Sequence, residues 1–180
     1  MSNEGFLNPT AVMDLIGLEE GMIVADFGCG TGEIAIAMAK RIGPSGLVTA
    51  LDILTSSLEA VHGKAIAEGL QNIKVSRVNL EVPGGTKLSE GSQQMVYLGN
   101  VLWQAEKKDE VIKEAARVLA PNGRVVAVEW NPGTGGFGPP DTSRVSGDRL
   151  KELFALAGLE VVQNFVAGKF HFGMIAQKHA

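Results

Sequence analysis

The chain has 180 residues, 45% of them hydrophobic, which is long enough for one well-buried domain and short for two. Its formal net charge of −4 argues against strong non-specific nucleic-acid binding, and its single cysteine excludes an internal disulfide and suits a reducing cytoplasm. Because no apolar run approaches the ~20 residues of a membrane span and the N-terminus lacks a basic-then-apolar signal pattern, we expect a soluble cytoplasmic protein.

The chain begins with a predicted helical segment over residues 1–20. Asn8 followed by Pro9 is typical of a helix N-cap with proline at the first helical position, and this helix is expected to end near Gly17. We expect the whole chain, 1–180, to form a single domain that starts with this segment.

The next pattern is an apolar strand near residues 22–27, a glycine-rich turn, and a helix near residues 32–42. Glycine suits such a turn because positive φ is cheap only without a Cβ, and because a ligand can touch backbone only where no side chain intervenes. The free N–H groups and the positive end of the helix dipole then favour a carboxylate or phosphate. The pattern predicts a nucleotide-cofactor loop, with its glycines at Gly28, Gly30 and Gly32.

The residues around this turn favour a small zwitterionic cofactor over a dinucleotide. The spacing is G-x-G-x-G, and Glu33 stands where the dinucleotide pattern has its last glycine, so its carboxylate would repel a pyrophosphate. Asp26 is well placed for a cationic group. Asp52 ends a second strand near residues 47–52, about 20 residues beyond the loop, where a carboxylate holds ribose hydroxyls. Adenosine joined to a zwitterionic amino acid describes S-adenosylmethionine.

The middle of the chain continues the alternation of strand and helix, which predicts an α/β fold with a mostly parallel sheet covered on both faces. Ser56 with Glu59 is a candidate capping box for one helix, and Gly69 is a candidate C-cap for its end. Residues 79–93 have no helical period, so we expect a loop there. Strands are expected near 73–78, 94–99 and 124–130, and helices near 56–68 and 107–119.

A glycine- and proline-rich stretch, residues 131–146, follows the fifth strand. One interpretation is a linker. The other, an active-site loop, rests on its position after the carboxyl end of a parallel strand, where ligands bind in such sheets. Beyond it we expect a helix over Asp148–Ala157 and two strands, Leu159–Ala167 and Phe170–Gln177, joined at Gly168.

Several of these segments resemble the class I S-adenosylmethionine-dependent methyltransferases. Val24–Ala39 resembles their motif I, and Ala50–Ile53 resembles their second acidic motif. Arg117–Arg124 is similar to the R-V-L-K-P-G-G-R turn before their fifth strand, and Asn100 stands where the family often has a polar residue. The resemblance spans roughly residues 5–178. It implies a Rossmann-like, mostly parallel seven-stranded sheet with helices on both faces and a C-terminal antiparallel β-hairpin.

Three positions depart from the family pattern. Asn79 replaces the acid that commonly holds the adenine amino group, although its carbonyl can still accept from that group. Gln93 and Gln94 stand where an aspartate commonly opens strand four. The proline-glycine-glycine turn contains Asn122, a mild change because asparagine tolerates left-handed backbone.

The motifs and the resemblance together assign cofactor-binding residues, with S-adenosylmethionine as the cofactor. We expect no metal, because no Cys/His pair has ligand spacing. The predicted cofactor-binding residues are Asp26, Gly28, Gly30, Gly32, Asp52, Ile53, Asn79, Leu80 and Asn100.

The acceptor side is expected at the carboxyl ends of strands four to six. Trp103, Trp130 and Asn131 are the candidate substrate-binding residues, and both tryptophans could instead be core residues. His171 and Glu129 are the candidate catalytic residues; the alternatives are a structural histidine in an alternating strand and a glutamate that caps backbone groups. A base is needed only if the acceptor must lose a proton.

We therefore predict an S-adenosylmethionine-dependent methyltransferase that acts on a small-molecule acceptor. The chain lacks, after Leu98, the Asn/Asp-Pro-Pro-aromatic motif of relatives that methylate amide or base nitrogens, and one cysteine is too few for a multi-thiol site. The alternatives are a non-catalytic S-adenosylmethionine-binding module and a methyltransferase acting on protein or RNA. Glu33 and the closing hairpin disfavour a nicotinamide oxidoreductase. A homodimer is left open.

Overall fold

The computed structural model describes residues 9–133 and 136–180. The predicted N-cap Asn8 and the rest of residues 1–8 lie outside the described residues. The helices are α1 (Pro9–Leu15), α2 (Glu33–Ile42), α3 (Thr55–Ala67), α4 (Lys108–Val118) and α5 (Gly147–Leu156). The strands are β1 (Ile23–Phe27), β2 (Leu47–Asp52), β3 (Ile73–Arg77), β4 (Gln93–Gly99), β5 (Leu119–Trp130), β6 (Leu159–Val166) and β7 (His171–Lys178).

The strands form one seven-stranded sheet in the order β3-β2-β1-β4-β5-β7-β6. The strands β1 to β5 are parallel, and β7 runs antiparallel between β5 and β6. This confirms the predicted Rossmann-like sheet with a C-terminal antiparallel hairpin. The strand order reverses between β1 and β4, and open α/β sheets bind ligands beside the carboxyl ends of the strands at such a point.

The hydrophobic core lies in two layers, one on each face of the sheet. Val24 of β1 packs into one layer and its neighbour Ala25 into the other, and both are fully buried. Strands buried on both faces have continuous apolar sequences, as β1 has. The helices α1, α2 and α3 contribute to the first layer, and α4 and α5 to the second. In the described part of the chain, no helix is long and apolar enough to cross a membrane.

Two local predictions were wrong. The expected capping box is absent from α3, because the helix begins one residue earlier and its N-cap is Leu54, which makes no side-chain cap. The strand β5 begins at Leu119 rather than near residue 124, because it includes an irregular stretch in its pairing with β4. Asn122 has a φ of 62° within that stretch, in agreement with the left-handed backbone expected there.

Candidate cofactor and acceptor site

The glycine loop joins β1 to α2 at the switch point of the sheet. Gly28, Gly30 and Gly32 have φ values of 73°, 50° and 88°, so all three use the backbone region that only glycine enters cheaply. The N–H of Gly28 donates to Leu51 O over 2.8 Å, which fixes the loop to the end of β2. A Cβ built on Gly30 would meet nothing within 4 Å among the described residues, so this glycine faces open space.

Asp52 connects this loop to the turn after β2. Its Oδ2 accepts from the N–H of Gly30 over 2.9 Å, and its Oδ1 accepts from the N–H of Leu54 over 2.9 Å. The side chain is 9% exposed and borders the cleft described next. Each carboxylate oxygen has a second lone pair, so Asp52 keeps acceptor capacity for a ligand hydroxyl.

A cleft of about 400 Å³ opens above the carboxyl ends of β1, β2 and β4. This volume lies within the range of ligand pockets, roughly 300–1,000 Å³. Seven of the nine predicted cofactor-binding residues line the cleft. They are Gly28, Gly30, Asp52, Ile53, Asn79, Leu80 and Asn100.

The other two predicted cofactor-binding residues, Gly32 and Asp26, do not line the cleft. Gly32 is the N-cap of α2. Asp26 is 2% exposed at the end of β1, and its Oδ2 has no hydrogen-bond partner among the described residues. Burial and then the nearby Asp52 carboxylate raise the pKa of Asp26 to about 7. Asp26 is therefore an incompletely satisfied carboxyl beneath the loop that a cationic ligand group would stabilise in its charged form.

The turn after β3 contributes a residue that the sequence analysis missed. Asn79 accepts through Oδ1 from the N–H of Glu81 over 2.9 Å, an Asx-type turn that fixes its side chain. Glu81 borders the cleft, and its Oε2 accepts from the N–H of Lys107 over 2.6 Å at the start of α4. Glu81 lies two residues beyond Asn79 in a segment predicted as a loop, and no periodic signal marks it.

The structure brings together three predicted residues, Asn100, Trp130 and His171. Trp130 and His171 are paired across β5 and β7, with ring centroids 4.1 Å apart. Asn100, with a left-handed φ of 56°, places Nδ2 3.1 Å from His171 Nε2. Burial and then the charge of Arg144 lower the pKa of His171 to about 4, so the ring is neutral at pH 7 and Nε2 can accept from the amide. His171 is 2% exposed and does not line the cleft.

Glu129 contacts backbone rather than the cleft. Its side chain is fully buried, and Oε1 accepts from the N–H groups of Val101 over 3.1 Å and of Leu102 over 2.8 Å. Burial raises the pKa of Glu129 to about 7, although the backbone N–H groups that it binds act in the opposite direction. Oε2 has no hydrogen-bond partner within the described residues.

Arg144 binds backbone carbonyl groups of the loop after β5, at the same end of the sheet. Its guanidinium donates to the carbonyl oxygens of Asn131 over 2.6 Å and of Pro139 over 3.0 Å, and it lies 5.7 Å from the ring centroid of Trp130. Asn131 also donates its N–H to Phe170 O, at the turn before β7. Trp103 is half-buried in the turn after β4 and does not border the cleft.

These features fit S-adenosylmethionine. The open backbone at Gly30, the spare acceptor capacity of Asp52 and the apolar side chains of Ile53 and Leu80 suit a zwitterion joined to ribose and a flat base. The described residues include no cluster of three or more His, Cys, Asp or Glu side chains that could hold a metal ion.

The sequence of this chain matches those of known proteins. Residues 24–123 match the family model described as a methyltransferase domain. A demethylmenaquinone methyltransferase of Lactococcus lactis is 34% identical over 118 residues, covering 65% of this chain and 45% of that protein. One of Staphylococcus aureus is 33% identical over 124 residues, covering 68% and 49%. The chain thus spans about half the length of these curated relatives.

Solved structures share the fold. A SAM-dependent methyltransferase from Aquifex aeolicus superposes with a TM-score of 0.86 at 24% identity, covering 95% of this chain and 89% of that chain. The cyclase SpnF superposes with a TM-score of 0.78 at 18% identity, covering 95% and 82%. The fold alone therefore does not decide the reaction. The match over more than half of the sequence does decide the family: the chain belongs to the methyltransferase domain family, whose cofactor is S-adenosylmethionine.

Proposed function

We propose that this chain transfers a methyl group from S-adenosylmethionine to a small-molecule acceptor. The observation that carries the proposal is the cleft in which Gly30 and Asp52 are joined by a hydrogen bond at the switch point of the sheet. Open glycine backbone and a carboxylate with free lone pairs are the two groups that a nucleoside joined to an amino acid requires.

The cofactor-binding residues act by position rather than by proton transfer. When bound, S-adenosylmethionine supplies a methyl group activated by a sulfonium. We assign Asp52 to the ribose hydroxyls, and Ile53, Asn79 and Leu80 to the adenine. We place Asn100 between this cleft and the acceptor side, because Asn100 lines the cleft and its amide contacts His171.

On the acceptor side we assign Trp130, Asn131 and the loop 131–146, with Trp103 at the edge. The names of the curated relatives favour a quinone-class acceptor, and a flat ring suits the aromatic surface of Trp130. His171 is a hydrogen-bonding group in this proposal rather than a strong base, since a pKa of about 4 leaves it little affinity for a proton.

Calorimetry and a methyl-transfer assay test the proposal. We expect S-adenosylmethionine and its demethylated product both to bind, and methyl transfer to a reduced demethylated quinone to be detected. Asp52→Asn keeps the shape of the side chain, and we expect it to weaken both ligands at least tenfold, as loss of a charged hydrogen bond does. Binding without turnover of any acceptor would indicate a non-catalytic module, and turnover only of protein or RNA would overturn the acceptor class.

A further inference from the structure

We propose that Glu129 is a positioning residue: its carboxylate holds the turn after β4 in the shape that the cofactor cleft requires and takes no part in proton transfer. The inference rests on the proposed function in that it assumes S-adenosylmethionine binds in this cleft. A glutamine at position 129 distinguishes this role from a catalytic one, because its amide oxygen can hold the turn but the amide cannot act as a base.

Glu129 binds the backbone that immediately follows β4. Asn100 donates its N–H to Val128 O over 2.8 Å, as the last bond from β4 to β5. The next two N–H groups, of Val101 and Leu102, point to Glu129 Oε1, whose side chain is fully buried. A buried N–H without a partner is costly, so the carboxylate replaces the strand partner that these two groups lack.

The turn after β4 also packs against the glycine loop. A Cβ built on Gly28 would lie 2.6 Å from Val101 Cγ2, so the valine side chain packs directly against the backbone of the loop. Gly28, Asn100 and Val101 all line the cleft. A shift of the Val101 backbone would therefore change both the wall of the cleft and the support of the glycine loop.

A second side chain, that of His171, contacts the same turn. The residue after Glu129 is Trp130, whose ring lies against His171, and His171 contacts Asn100. Two side chains thus hold the turn after β4: Glu129 of β5 binds the N–H groups of Val101 and Leu102, and His171 of β7 contacts the amide of Asn100. Of these two side chains Glu129 is the one that binds backbone, and its bonds continue the backbone pairing that ends at the N–H of Asn100.

The same geometry argues against a general base. A base must come within hydrogen-bond reach of the acceptor, directly or through one water. Glu129 is fully buried, does not line the cleft, and uses Oε1 for two backbone groups. A glutamine retains an oxygen for both N–H groups but cannot accept a proton at neutral pH.

Two substitutions separate the roles. We expect Glu129→Gln to keep the affinity for S-adenosylmethionine and the turnover within about threefold of wild type, and Glu129→Ala to weaken binding at least tenfold. Glu106→Ala, an exposed glutamate four residues after Leu102, is the matched control and is expected to change neither value. Calorimetry gives the affinity, and thermal unfolding shows that each variant is folded.

Amide hydrogen exchange gives a readout that needs no ligand. The N–H groups of Val101 and Leu102 are expected to exchange faster in Glu129→Ala and at the wild-type rate in Glu129→Gln. Loss of turnover in Glu129→Gln with unchanged affinity would identify a base and overturn the inference, as would wild-type binding by Glu129→Ala. If the wild-type protein binds neither ligand, the proposed function fails, and the exchange rates alone then decide whether Glu129 holds the turn.

Discussion

At the scale of single residues, the three glycines of the loop have different roles. A Cβ on Gly28 or Gly32 would collide with Val101 or Val61, at 2.6 and 2.7 Å, whereas one on Gly30 would meet no described atom within 4 Å. Close packing therefore requires glycine at the two outer positions. The central position borders the cleft, so ligand approach is the reason that remains for Gly30.

This difference predicts the behaviour of Gly30→Ala. We expect it to weaken S-adenosylmethionine binding at least tenfold, since a methyl group would stand between the ligand and the backbone. Its cost in folding should be about 1–2 kcal/mol, the strain of a left-handed backbone. Gly69→Ala is the control, because Gly69 has a φ of 66°, meets no described atom within 4 Å and lies outside the cleft. Equal loss of binding in both variants, by calorimetry, would contradict this role.

Most of the predicted cofactor-binding residues line the cleft, and none of the predicted acceptor-side or catalytic residues does. Asp52 and Asn79 follow strand ends and line the cleft as expected. The candidate catalytic residues are also at strand ends, yet both side chains are buried in contacts with the turn after β4. A strand end fixes the edge of the sheet on which a residue lies, whereas the direction of its side chain depends on the loops packed against it, and no local pattern encodes those.

At the scale of elements, the loop between β3 and β4 is held by a buried carboxylate on α4. Glu114 is 3% exposed and accepts from the N–H of Gly84 over 3.0 Å, from Thr86, and from Arg117 over 2.8 Å. Burial would raise the pKa of Glu114, but the hydrogen bonds from Arg117 and Thr86 outweigh it and lower the pKa to about 2. The ionised carboxylate of Glu114 therefore stabilises the conformation of this loop, which contains no helix.

We expect Glu114→Ala to lower the free energy of unfolding by about 2–4 kcal/mol, because it leaves buried donors without an acceptor. Urea unfolding at neutral pH measures the change. Asp109→Ala is the control, since Asp109 lies on the exposed side of the same helix in an ion pair with Lys113, and its loss should leave the midpoint unchanged within error. Similar losses in the two variants would show that Glu114 does not fasten the loop.

The elements themselves were well predicted, because β1, β2 and β4 are apolar runs between clear turn signals. The exceptions have local causes. The N-cap of α3 is Leu54, two residues before the expected Ser56, and the N–H of Leu54 donates to Asp52 Oδ1. The early start of β5 depends on its pairing with Gln93, a contact between residues 26 positions apart. A window of neighbouring residues does not contain this pairing of β5 with Gln93.

At the scale of the whole molecule, three buried groups link folding to pH. The pKa values of Asp26 and Glu129 are raised to about 7, so the native state binds protons that the unfolded state has released. Their stabilising contribution is complete below the ordinary carboxyl pKa and is lost as pH rises through 7. The pKa of His171 is lowered to about 4, so this group has the opposite effect on stability. Its stabilising contribution is complete above the ordinary histidine pKa and is lost as pH falls from that value toward 4.

These signs predict how stability changes between about pH 5 and pH 6. Among these three groups, the native state is protonated at Asp26 and Glu129 in this pH range. Of the same three, the unfolded state is protonated only at His171. The difference of one proton lowers the free energy of unfolding by about 1.4 kcal/mol for each unit of rising pH. Urea unfolding at several pH values in this window measures the slope.

Variants isolate two of these three groups, Asp26 and His171. Asp26→Asn removes one native proton, so we expect its slope to be about 1.4 kcal/mol per pH unit less steep than that of wild type. His171→Gln removes the proton of the unfolded state, so its slope should be steeper by the same amount. Exposed groups titrate alike in all three proteins and cancel in the comparison. If the three proteins have equal slopes, Asp26 and His171 titrate in the folded protein as they do in water. That result would mean that this end of the sheet is hydrated rather than buried.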